Sequence, residues 1–79
     1  MAEDLYHPVD CSLHDRFEDA AVRGVPVRID WAEPSGPSRQ ATGTIRDIVV
    51  RGGAEYLVMA DGAEIRLDRI AEFRVNPLD

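Results

Sequence analysis

Residues 12–31, SLHDRFEDAAVRGVPVRIDW, change their hydrophobic period in mid-stretch, and that change decides the fold. As far as Arg23 the apolar residues recur at helical spacing. At about 100° per residue, Leu13, Phe17, Ala20 and Ala21 fall within one arc, the stripe that a helix buries against its own core. Asp15, Glu18 and Asp19 fall on the opposite side, and Val22 projects into the middle of them. Ser12 reads as the start, with Asp15 three residues on at the capping-box spacing. Gly24 reads as the stop, a left-handed residue just past the helix end, and Arg23 suits the partial negative charge there. A helix is expected over residues 12–23.

After Gly24 the period falls to two. Val25, Val27, Ile29 and Trp31 alternate with Pro26, Arg28 and Asp30, the pattern of a half-buried strand. Pro26 has no amide proton, so this strand either lies on an edge or begins its ladder after the proline. Working outward, residues 32–38 (AEPSGPS) form a loop by composition. Residues 40–51 read as one long strand, bent or bulged at Gly43. Gly52-Gly53 is a tight turn, residues 56–60 (YLVMA) a buried strand, and Asp61-Gly62 a strong hairpin signal. Residues 63–67 and 70–75 complete the strands. Residues 1–11 are an irregular lead-in, in which Pro8 blocks an early helix, and 76–79 a frayed tail. One helix and five short strands over residues 25–75 predict a single, mainly β domain spanning 1–79: a small, strongly bent five-stranded barrel capped by its N-terminal helix. Closure would remove exposed sheet edges. Trp31, Ile45, Tyr56, Leu57, Leu67, Ile70 and Phe73 are expected to be core rather than site, with Asp68 capping the turn before the last strand and Asp10 acting likewise at the helix entrance.

The composition narrows the function classes. At 79 residues, a fold buries only about 60% of the surface its unfolded chain exposes, so a deep walled cavity is not expected. All nine basic residues are arginine, against 15 acids, for a formal charge of −6. Residues 1–23 carry six acids against two arginines, a net of −4, and the remaining 56 a net of −2. Such an N-terminal quarter repels phosphate and attracts basic surfaces, so direct nucleic-acid binding is not expected. Residues 1–13 are acidic and lack the apolar run of a signal peptide, and no stretch approaches the roughly 20 apolar residues of a membrane span. The chain is expected to be cytoplasmic, away from membranes, and monomeric when free.

Little in the sequence points to catalysis. The single cysteine, Cys11, excludes an internal disulfide and a four-cysteine zinc site. Cys11 with His14, or with His7, is a possible nucleophile and base, but a small half-buried cysteine is the commoner state. A metal site from His7, Cys11 and His14 would need a fourth ligand and a fixed geometry, and the region before Ser12 reads as irregular. Gly52-Gly53 belongs to no phosphate-loop pattern. The chain is expected not to be an enzyme and to need no cofactor.

Four landmarks occur in order: Tyr6-x-Pro8-Val9-Asp10-Cys11, Asp15-x-x-Glu18-x-Ala20, Glu55-Tyr56-Leu57-Val58, and Glu64-x-Arg66-Leu67-Asp68-x-Ile70-x-x-Phe73. Together, from Tyr6 to about Val75, they resemble the Rof (YaeO) family, the Rho-binding antiterminators. The resemblance implies an Sm-like, Hfq-like fold with an N-terminal helix and a bent five-stranded barrel. It also implies binding to the hexameric Rho helicase at its N-terminal primary RNA-binding region, so that RNA fails to load and termination fails. The family's Rho-contacting acids fall on Asp15 and Glu18, a neighbouring aromatic on His14, and a basic hairpin position on Arg51. This chain departs from the family at His14 itself, at Gly52-Gly53 in place of a polar, basic hairpin tip, and in a longer loop containing Pro34 and Pro37.

A site built for RNA offers arginine and lysine to phosphates, and a rigid row of carboxylates competes for the same donors. Asp15, Glu18 and Asp19 have the spacing for this, with Val22 and His14 as apolar contacts. The blander alternative is that Asp15 caps the helix while Glu18 and Asp19 merely solvate a surface. Two other functions stand beside the antiterminator: an Sm-like RNA-binding module, since fold does not dictate function, and an acidic adaptor for another basic protein.

Overall fold

A computed structural model describes residues 5–75 of the chain; the expected tail at 76–79 and the first four residues of the lead-in lie outside the described residues. The helix α1 runs from Cys11 to Arg23 and starts one residue earlier than expected. Its cap is Asp10, whose Oδ1 accepts from the Leu13 amide at 2.8 Å, so Ser12 lies inside the first turn. A carboxylate at the N-cap satisfies one of the orphan amides there. Asp15 is then too far along the helix to close a capping box. Gly24 ends α1 as expected, at φ 66°, its amide donating to the Ala20 carbonyl at 2.9 Å.

Six strands follow: β1 (Val27–Ala32), β2 (Ser38–Gly43), β3 (Ile45–Arg51), β4 (Ala54–Met59), β5 (Glu64–Arg66) and β6 (Ile70–Val75), the last two joined by a 3-10 turn at Leu67–Arg69. They form two antiparallel three-stranded sheets, ordered β2-β1-β6 and β3-β4-β5. The β1 ladder begins at Val27, just past Pro26, which reconciles a proline with a central strand.

The stretch expected as one strand over 40–51 is divided at Thr44 between the two sheets. Gly43, at φ 143°, takes a conformation that side-chain-bearing residues rarely adopt. The Ala60 amide then donates to the Thr44 carbonyl at 2.9 Å and fastens the corner to the end of β4. The protein is therefore mainly β with one N-terminal helix, as expected, but its strands number six in two sheets, and no ladder closes them into a barrel among the described residues.

Both short hairpins have the expected turns. Gly52 and Gly53, at φ 59° and 81°, join β3 to β4 with the two positive φ values of a type I′ turn. At Asp61-Gly62 the Asp61 side chain accepts from the Ala63 amide at 3.0 Å.

The core lies between α1 and the sheets. Phe17, Val27, Ile29, Leu57, Ile65 and Leu67 are its largest fully buried side chains, and the Phe17 ring meets Phe73 edge-on at 4.8 Å, a favourable aromatic geometry. Ile45, Leu57, Leu67 and Phe73 are buried as expected, whereas Trp31, Tyr56 and Ile70 are only half-buried. Trp31 and Ile70 nevertheless pack against the buried cluster from its margin.

Candidate partner-binding face

Helix α1 is held by its inner stripe, Phe17 and Ala20, both at most 1% exposed. The outward positions are thereby presented on a fixed scaffold. Asp15, Glu18, Asp19 and Val22 are all exposed, and Val22 reaches 87%. His14 is half-buried at the start of this face, with its Nε2 at 3.0 Å from Glu55 Oε2 on β4. An ionised carboxylate only accepts, so this contact places a proton on Nε2. The other ring nitrogen, Nδ1, faces Glu18 Oε2 at 3.7 Å.

The acids are not equivalent. Asp19 pairs with Arg23 one turn along, at 3.1 Å. Neither Asp15 nor Glu18 has an arginine partner among the described residues. One polar atom each from His14, Asp15 and Glu18 lies within 4.8 Å of the other two. The structure thus gathers three of the expected site residues, ties the charge of Asp19 to a cation, and leaves Val22 beside them. His7, Cys11 and His14 do not form a comparable cluster, and Cys11 is exposed.

Arg51 lies apart from this group. Its guanidinium binds Glu64 on β5 through both terminal nitrogens and stands 5.7 Å from the Tyr56 ring centroid. The hydrogen bond from Arg51 holds the Glu64 carboxyl below the usual carboxylate range. Successive residues of a strand face opposite ways, which sends Arg51 to the other side of β3 from Ile48 and Val50.

A polar network anchoring His14 was not anticipated as a site. Glu55 accepts from the Tyr6 hydroxyl at 3.2 Å as well as contacting His14. Burial, then the nearby Glu55 charge and its hydrogen bond, push the Tyr6 phenol up to about 12. The Arg66 guanidinium lies 5.5 Å from the Tyr6 centroid and its Nε lies 2.9 Å from Asp68 Oδ1. Asp68 Oδ2 in turn accepts from the His7 amide at 2.9 Å. Asp68 therefore fastens the lead-in to the turn after β5, a longer-range role than the local cap expected of it. The one signal available in the sequence was Glu55 itself, a carboxylate beginning an otherwise apolar run, EYLVM.

No known family, curated protein or solved structure matches this chain.

Proposed function

We propose that this protein is an antiterminator that binds the Rho hexamer at its N-terminal primary RNA-binding region, through the outer face of α1, and prevents RNA from loading. The observation that carries this is the exposure of Asp15 and Glu18, without arginine partners among the described residues, on a helix whose opposite side is locked by Phe17 and Ala20. Basic side chains that serve phosphates in an RNA site form charge-assisted hydrogen bonds equally well with carboxylates. Val22 adds the apolar contact that such an interface needs at its centre. The ordered landmarks from Tyr6 to Phe73 supply the identity of the partner, since the charge pattern alone specifies only a basic one. In the same proposal the two sheets are the halves of a strongly bent Sm-like barrel, with β2 and β3 a single strand broken at Thr44, which returns the count to five.

The test is direct. Purified protein should lower both RNA binding and RNA-stimulated ATP hydrolysis by Rho, with inhibition fading as salt is raised, because attraction between exposed charges is screened. Asp15→Arg and Glu18→Arg should each weaken inhibition by about tenfold or more, replacing attraction with repulsion, while the circular dichroism spectrum is unchanged. Normal inhibition by both variants would exclude the helix face. Tight binding of the protein itself to uridine- or adenosine-rich RNA, without effect on Rho, would favour an RNA-binding module.

A further inference from the structure

Beside the helix face runs a surface groove of about 580 Å³, walled by Glu18, Ala21 and Val22 of α1 and by Arg46, Asp47 and Ile48 of β3. A lone exposed valine is ordinary on a protein surface. Here Val22 lines the groove together with Ala21 and Ile48, both half-buried. The rim carries a carboxylate on each wall, Glu18 and Asp47, against the single guanidinium of Arg46. Asp47, like Glu18, has no arginine partner among the described residues. A groove lined by three apolar side chains and two carboxylates is complementary to a basic segment that contributes one aliphatic anchor.

The backbone narrows how such a segment binds. As the outer strand of its sheet, β3 is a position where an added strand would normally pair. Its register shifts between Ile45 and Asp47, leaving Arg46 as an extra residue, and Asp47 Oδ1 takes the Ile48 amide at 2.8 Å. A bulge and an occupied amide both oppose strand addition. Recognition here therefore proceeds through side chains.

We infer that the α1–β3 groove is a second part of the partner-binding surface: it receives one aliphatic side chain of a basic Rho segment between Val22 and Ile48, and an adjacent arginine or lysine is held by Glu18 and Asp47. This rests on the Rho reading above and extends it from the helix face to the strand wall, where Arg46, Asp47 and Ile48 acquire roles.

The experiment measures Rho affinity at low ionic strength for the intact protein and five variants, with thermal unfolding as the check on folding. Asp15→Arg reports on the helix face, Val22→Asp on both surfaces, and the three Arg46 and Asp47 variants on the groove alone. Asp47→Arg and Val22→Asp should each weaken binding about tenfold, an acidic rim reversed or an apolar anchor lost. Asp47→Asn keeps an oxygen for the Ile48 amide while removing the charge, and should weaken binding about two- to fivefold. Arg46→Glu should tighten it by a similar factor, because it removes the one like charge that a basic partner meets. Wild-type affinity in the three Arg46 and Asp47 variants, alongside lost binding in Asp15→Arg, would overturn the groove and leave the helix face standing. Failure of the unaltered protein to bind Rho would overturn both.

Discussion

The two flanks of α1 meet the rest of the molecule in different ways. On the flank toward β6, Arg16 lies 5.3 Å from the Phe73 centroid and donates to the Phe73 carbonyl at 3.4 Å, next to the edge-on contact of Phe17 with Phe73. On the flank toward β3, the contacts are polar at the His14 end, through Glu55 and Tyr6, and then give way to an open groove beyond Glu18. The β6 flank holds the helix with apolar and cation–π contacts, and the β3 flank also backs it, with Ala21 and Ile48 packed against the buried cluster. Only outside that contact does the β3 flank carry carboxylates and an exposed valine. A small domain has few side chains to spare, and dividing the two tasks between packed and outward positions lets one helix perform both.

The sharpest way to break this contrast is Phe17→Ala. It should cost about 3–5 kcal/mol, a large share of the roughly 5–15 kcal/mol of a typical domain, and is read from the urea midpoint. A loss below about 1 kcal/mol would mean that the β6 flank is not the fastener. Next in size is the alkaline behaviour of the other flank. The Tyr6 phenol is raised from 10.0 to about 12 in the folded state, so folding favours its protonated form. That contribution is fully present below pH 10 and is lost as pH rises through about 12. Because the phenol is partly exposed and its interaction with Glu55 is screened by solvent, the size is on the order of 1–2 kcal/mol. The chain has no lysine, so no ammonium titration overlaps this limb. Tyr6→Phe should flatten the fall in melting temperature between pH 10 and 12, and an unchanged fall would assign it elsewhere.

Smaller effects sharpen the comparison. Asp10→Ala removes the cap on the Leu13 amide and should cost about 1 kcal/mol, with fraying confined to the first turn in amide exchange. Arg16→Met keeps much of the apolar stem but forfeits the contact with Phe73, about 0.5–1 kcal/mol. Smallest of all in stability, and decisive for binding, is Glu18→Arg. It should change unfolding free energy by no more than about 0.5 kcal/mol while weakening the proposed inhibition of Rho about tenfold or more. Such an uncoupling is what separates a presented flank from a fastening one.

Features set by near neighbours were legible in advance. The apolar stripe of α1, its end at Gly24, the β1 alternation and the two short hairpins follow from spacing and turn chemistry within a few residues. The acidic side of the helix followed from the same spacing. Distant partners were not legible. His14 meets Glu55 across 41 residues of chain, and Tyr6 meets it across 49; nothing local marks these residues as a network. The choice of Asp10 over Ser12 as the cap was also decided by geometry, since both residue types suit the position.

By itself the sequence determined a mainly β chain led by one amphipathic helix with a carboxylate-rich outer side, because periodicity and charge spacing are local properties. Only the tertiary structure decided that Thr44 divides one apparent strand between two sheets, that Arg51 is engaged with Glu64, and that Val22 shares a groove with Ile48. Each of these depends on which segments meet in space, and that is settled by packing the whole chain at once rather than by any stretch of it.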